Sequence, residues 1–320
     1  MAKNIVVCCD GTGNEYGENN TNVVGMYEPV VRDKGQVTYY DPGVGTFSVF
    51  GRILGKKIGI LMGMGFGYGI TENIEDAYLY LMNRYEPGDK VFLFGFSRGA
   101  FTVRALAGML HKVGLLQKGS NNLIAYASEI YNTRNNHEIA EGFKKTYCHE
   151  CKPYFIGVWD TVGSLGLWLG REFFDDRLNN DVTYAYHAMA IDEKRKKFPV
   201  SLWDETQLAE GQWVEQVWFA GVHCDVGGSY KERDLSNICL IWMLDKAEQR
   251  GLRLKEGWRE RLNTNPAGIM HESYCKLWKL WRPVSRKVPE GAKIHRSVFL
   301  RSKALSSYQP KLPTSYVEVD

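Results

Sequence analysis

The sequence has no surplus of charge, no paired cysteine pattern, no long apolar run and no repeat. Each absence closes off a class of function. Forty Lys and Arg stand against 37 Asp and Glu, a formal net charge of +3, with 24% of the 320 residues charged. That balance gives no electrostatic footprint for nucleic acid, so no such partner is expected. Seven cysteines, an odd number at irregular spacing, argue against a disulfide framework and suit a reducing compartment. Cys148-x-x-Cys151 stands without the second pair or the histidine spacing of a zinc site, so no metal and no cofactor is expected. The most apolar stretch, Ile58 to Ile70, is too short and too rich in glycine to span a bilayer. Met1-Ala2-Lys3-Asn4 runs directly into a strand and offers no signal peptide. The expectation is a chain that is cytoplasmic in its producing cell. Peripheral membrane contact and export as an effector without a cleavable signal stay open.

What is present centres on Val91-Phe92-Leu93-Phe94-Gly95-Phe96-Ser97-Arg98-Gly99-Ala100. Four apolar residues in a row read as a buried central strand, and a helical run follows from about Arg98 to Val113. Strand, Gly-x-Ser-x-Gly and helix together form a nucleophile elbow. The sharp turn holds the serine in strained backbone geometry, and its neighbours must lack a bulky Cβ. The helix start behind Ser97 aims backbone N–H groups at an anion forming there.

Upstream, Asn4 to Cys9 reads as a buried strand left by the loop Asp10-Gly11-Thr12-Gly13-Asn14. A haloacid-dehalogenase-type phosphatase would need its nucleophilic aspartate at position 8, which is Cys8, so that reading fails. The alternative is a loop supplying an oxyanion-hole N–H from Gly11 or Thr12. Thr21 is a candidate cap for a short helix, and Val37 to Tyr40 is a second strand. From Gly43 to Gly69 the chain reads as a loose, glycine-rich segment. Its alternating Gly63, Gly65, Gly67 and Gly69 give neither Gly-x-Gly-x-x-Gly nor a Walker A loop. Helical spacing runs from Thr71 to Tyr85, with Thr71 as its expected cap.

Beyond the elbow, Leu123 to Thr133 reads as a helix and Tyr154 to Trp159 as a buried strand ending in Asp160-Thr161-Val162-Gly163. An aspartate just off a buried strand is where an α/β hydrolase keeps its triad acid. The apolar stretch at 165–174 fits either core packing or an acyl-chain pocket and lid. Tyr184 to Ile191 reads as a helix carrying His187, closed by the basic run Lys194-Arg195-Lys196-Lys197, a solvated face or a meeting point for anionic head groups. Val214 to Val222 is a strand left by His223-Cys224-Asp225-Val226-Gly227-Gly228, and Leu235 to Arg250 is an amphipathic helix. Trp278 and Trp281 are candidates for an interfacial anchor, with buried packing the plainer reading.

Ser97, Asp160 and His223 follow the Ser…Asp…His order of α/β hydrolases. Parallel strands bring such strand ends to one edge of a sheet, where ligand sites lie. In this reading His223 takes the proton from Ser97, Asp160 orients the imidazole, and Arg98 N–H with Gly11 or Thr12 N–H holds the oxyanion. His271 and His295 are rival bases, and Asp225 is a rival acid.

The motifs around Asp10, Tyr40-Asp41-Pro42-Gly43-Val44-Gly45-Thr46, Ser97, Asp160 and His223 together resemble the α/β-hydrolase family DUF2235. This is the family of the Tle1 group of type VI secretion lipase effectors. The resemblance implies a single α/β-hydrolase domain over residues 1–320, less regular from about residue 255, with a mostly parallel central sheet flanked by helices. It also implies a phospholipase A-like serine esterase with the triad Ser97, Asp160 and His223, a lipid or other ester substrate, and a secretion-system partner. The alternatives are a soluble short-chain carboxylesterase and a non-catalytic interaction module on a hydrolase scaffold.

Overall fold

A computed structural model describes residues 2–11, 14, 16–43, 58–162, 178–274, 279 and 282–320. The first half holds β1 (Asn4–Cys9), α1 (Asn22–Tyr27), β2 (Gln36–Asp41), α2 (Ile58–Arg84), β3 (Lys90–Phe96) and α3 (Arg98–Val113). A small antiparallel pair, β4 (Leu115–Leu116) and β5 (Cys148–His149), brackets α4 (Ile124–Asn132) and α5 (His137–Tyr147). Then come β6 (Pro153–Trp159), β7 (Tyr184–Ala190), β8 (Trp213–Phe219), α6 (His223–Gly227) and α7 (Asp234–Gln249). The chain closes with β9 (Ala292–His295), α8 (Ser297–Ala304) and β10 (Tyr316–Val319).

Eight strands form one sheet in the order β2-β1-β3-β6-β7-β8-β9-β10, and every neighbouring pair is parallel. Helices cover both faces, an α/β-hydrolase-like arrangement. Alternate residues of each strand supply the two faces. Ile5, Val7, Cys9, Val91 and Leu93 pack with α2 and α3, while Val6, Cys8, Phe92, Phe94 and Phe96 pack with α1 and α7. Full burial of a phenylalanine is worth roughly 1.5–3 kcal/mol, so Phe92, Phe94 and Phe96 anchor β3 firmly. The chain runs outward in one direction from β1 to β2 and in the other from β3 onward, so a topological switch lies between β1 and β3. Open parallel sheets bind ligands outside the carboxyl ends of their strands at such a point.

Three local expectations are corrected. Residues from Ile58 onward are helical, so Thr71 lies inside α2 and not at its start. Glycine lowers helix propensity by about 1 kcal/mol, but it does not break a helix that its neighbours hold in place. Ile74, Ala77, Tyr78 and Leu81 on the second half of α2 are all buried in the core. His187 lies on β7, not on a helix: residues 185–190 are buried on both faces, and such a strand loses the alternation that identifies it. The helix α5 has no counterpart in the sequence reading. The segments at 44–57 and 163–177, with Trp278 and Trp281, lie outside the described residues, and so do the expectations attached to them. Thr21 does cap α1, its Oγ1 accepting from Val24 N at 3.4 Å. No described helix is long and apolar enough to cross a membrane.

Candidate active site

Ser97 stands between β3 and α3 with φ 56° and ψ −114°, a left-handed conformation that β-carbon-bearing residues rarely adopt. The turn is tight enough to demand glycine on both sides. A Cβ at Gly95 would lie 2.4 Å from Gly99 O, and one at Gly99 would lie 2.0 Å from Cys9 O. Ser97 N–H donates to Trp159 O at 3.0 Å, tying the turn to the end of β6. The Ser97 side chain makes no capping bond to α3, so its hydroxyl is not committed to the helix behind it.

Asp160 follows β6 directly, with φ 41°, and is wholly buried. His223 opens α6 just beyond β8 and is 4% exposed. His223 Nδ1 and Asp160 Oδ2 are 2.5 Å apart, which leaves Nε2 as the other ring nitrogen. The imidazole packs between Phe96 and Phe198, with ring centroids at 4.7 and 5.1 Å. Phe96 is the residue before Ser97, so the histidine ring sits beside the elbow.

The Asp160 carboxylate has further partners. Oδ1 accepts from Ala190 N at 3.0 Å and Arg286 Nη1 at 2.5 Å, and Oδ2 accepts from Arg286 Nη2 at 2.9 Å. Burial pushes this carboxyl upward, but Arg286 and His223 outweigh it and hold Asp160 well below the usual carboxylate range. Arg286 escaped the sequence reading. It lies 126 residues from Asp160, in a stretch without periodicity, and no local signal marks it.

The rivals are engaged elsewhere. Asp225 Oδ1 meets His271 Nδ1 at 2.7 Å, and Oδ2 accepts from Val222 N at 3.0 Å. His271 Nε2 faces Glu232 Oε2 at 3.2 Å. His295 ends β9, its Nδ1 2.8 Å from Ser297 Oγ. His187 Nε2 accepts from Thr161 N at 3.1 Å beneath the site.

The loop after β1 departs from expectation. Gly11 does lie beside the elbow, since a Cβ there would be 3.5 Å from Ser97 Cβ. Its N–H, however, donates to Asp10 Oδ1 at 2.7 Å and is not open to an oxyanion in this arrangement. Asp10 also accepts from Asn14 Nδ2 at 3.1 Å, Thr21 Oγ1 at 2.6 Å and Tyr40 OH at 3.0 Å. Burial pushes its carboxyl up to about 6. Asp10 therefore organises its loop, while Thr12 lies outside the described residues. Arg98 is the first residue of α3, at the helix end that favours negative charge. Among the described residues no cluster of three or more His, Cys, Asp or Glu could hold a metal ion.

Comparison with known proteins gives a family match over residues 3–246, described as "T6SS, Phospholipase effector Tle1-like, catalytic domain". An uncharacterized protein of Saccharomyces cerevisiae, YEL023C, is 36% identical over an alignment of 217 residues that covers 61% of this chain and 32% of that protein. A crystal structure of an uncharacterized Pseudomonas aeruginosa protein is similar at TM-score 0.53 and 19% identity, over 82% of this chain and 49% of that one. It shows the likeness of fold. The Tle1 effector bound to the VgrG spike of the type 6 secretion system matches at TM-score 0.45 and 17% identity, over 72% of this chain and 52% of that one. The chain thus spans about a third of the curated relative and about half of each structure.

Proposed function

The chain belongs to the Tle1-like phospholipase effector catalytic-domain family, and from that premise we propose that it is a serine hydrolase. Its substrates are carboxylic esters of lipids, glycerophospholipids foremost, cleaved in a phospholipase A-like reaction. The observation that carries the reading is the His223–Asp160 pair at 2.5 Å beside the strained Ser97 elbow. Ser97, His223 and Asp160 follow the carboxyl ends of β3, β8 and β6, near the topological switch, which supports reading them as nucleophile, base and acid.

The geometry supports the following roles. Asp160 holds Nδ1 of His223 in its protonated tautomer, so Nε2 is free to take the Ser97 hydroxyl proton as Oγ attacks the acyl carbonyl. The negative charge on the carbonyl oxygen falls toward the start of α3, where Arg98 N–H donates. The protonated imidazole returns its proton to the leaving alcohol. Water, deprotonated by the same nitrogen, releases the fatty acid from Ser97. A lipid substrate entails working at a membrane surface, and the family's secretion context makes a secretion apparatus the proposed delivery partner.

A fluorophosphonate probe and a phospholipid hydrolysis assay test this together. Labelling at Ser97 with release of fatty acid from vesicles is the expected result. Labelling with turnover confined to short-chain esters would favour a soluble carboxylesterase. Neither labelling nor turnover would leave an interaction module on the scaffold.

A further inference from the structure

Buried in the site, and contributed from beyond the 3–246 family match, Arg286 grips Asp160 with both terminal nitrogens. Its side chain is 6% exposed. Nη1 also donates to Ala190 O at 2.9 Å and Nη2 to Phe198 O at 2.8 Å. The guanidinium therefore bridges the acid, the end of β7 and the turn whose phenylalanine touches His223. We propose that Arg286 is a positioning residue: it fixes the Asp160 carboxylate against His223 and shares that carboxylate's charge with the imidazole. This rests on the reading of Ser97, Asp160 and His223 as a triad.

A purely structural role accounts poorly for the arrangement. Ion pairs this deep contribute little net stability, because desolvation offsets the attraction. Arg286 Nε, moreover, is buried with no hydrogen-bond partner among the described residues, which adds cost. Asp160, for its part, has four donors for two oxygens, and His223 is one of them. A carboxylate already matched by a guanidinium has less charge left to stabilise an imidazolium. Arg286 and the imidazole therefore share one negative charge.

Other charged and titratable groups face the pair. Glu193 Oε2 accepts from His223 N at 3.2 Å and is itself bound by Arg195 Nη2 at 2.8 Å. His187, kept neutral by burial and by Arg104, lies below Asp160. Asp225, two residues along α6, is taken up by His271, and the Cys239 thiol is buried with its proton held on. Among these, Arg286 alone places a cation on Asp160 itself.

The test uses the full chain and a soluble ester, following kcat/KM against pH. Arg286→Met should move the acid limb upward by about one pH unit, because Asp160 then acts on His223 alone and burial raises its own pKa. Arg286→Gln, which keeps hydrogen bonding but not charge, should do the same if the methionine variant fails to fold. Arg286→Lys should leave the limb within a few tenths of a unit while lowering kcat, since it keeps charge without the two-pronged grip. NMR titration of the His223 ring reads the same shift without turnover. Folded charge-free variants whose limb and His223 titration match the wild type would overturn the proposal. If the wild type neither turns over esters nor takes the probe, the triad reading fails, and the His223 titration still decides the effect of Arg286.

Discussion

Asp160 and His223 lie 63 residues apart in sequence and 2.5 Å apart between Oδ2 and Nδ1. The sheet makes that contact. Asp160 N donates to Ala188 O at 2.8 Å, its Oδ1 accepts from Ala190 N at 3.0 Å, which locks the carboxylate to the end of β7, and β8 beside it delivers His223 through the first turn of α6. Both side chains are held by backbone whose position follows from strand pairing, so the pair is preorganised.

The first prediction concerns the nucleophile. Ser97→Ala should abolish ester hydrolysis and probe labelling while the fold survives, a loss of about 10³-fold or more. Retained labelling in that variant would remove Ser97 from the mechanism.

A second concerns the elbow's packing. Gly99→Ala forces a Cβ to within 2.0 Å of Cys9 O, a backbone atom that cannot step aside. The expected loss is about 2 kcal/mol or more, read as a lowered urea midpoint with an unchanged slope. Wild-type stability in this variant would contradict the close approach of α3 to β1.

These features differ in how far the sequence announces them. The elbow, the strand at Asn4 to Cys9 and the strand before Asp160 are apolar runs ending in glycine-rich loops, and each pattern is local. His187 was harder to place, because Ala185, Ala188 and Ala190 around it suit a helix as well as a strand. Arg286 and the Asp10 network were illegible for another reason. Their meaning lies in partners supplied by tertiary structure, and nothing near Arg286 or Tyr40 in the chain points to them.

A third prediction concerns pH and stability. Burial and Arg104 push His187 down to about 3 from an ordinary 6.5. The folded state thus binds fewer protons than the unfolded state between those values, and stability should fall as pH drops through that window. Asp10 and Asp41, each raised to about 6 by burial, act in the opposite sense between about pH 4 and 6. Comparison with His187→Gln isolates the histidine. The variant's stability should depend less steeply on pH, by up to about 1.4 kcal/mol per pH unit between pH 4 and 6. Parallel curves for the two proteins would show that His187 is not held neutral.

Metal dependence gives a fourth. The proposed reaction draws its nucleophile, base and acid from Ser97, His223 and Asp160, so exhaustive chelation should leave turnover of a soluble ester unchanged. Activity lost on chelation and restored by a divalent ion would require a different mechanism.

The fifth prediction separates the histidines. A general base must come within hydrogen-bond reach of the serine, so position decides before basicity does. His295 sits on β9, with β7 and β8 between it and β6. Its ring stacks on Phe219 at 4.6 Å, and burial pushes it down to about 4. His271 is held between Asp225 and Glu232, away from Asp160. Of these three, among the described contacts, His223 alone combines a contact to the buried acid with a ring against Phe96, next to Ser97. His223→Ala should therefore lower kcat/KM by about 10³-fold or more, while His295→Gln and His271→Gln should each cost less than about tenfold in variants that remain folded. Near-normal turnover in His223→Ala, or a collapse confined to one of the other two, would move the base elsewhere and take Asp160 out of its assigned role.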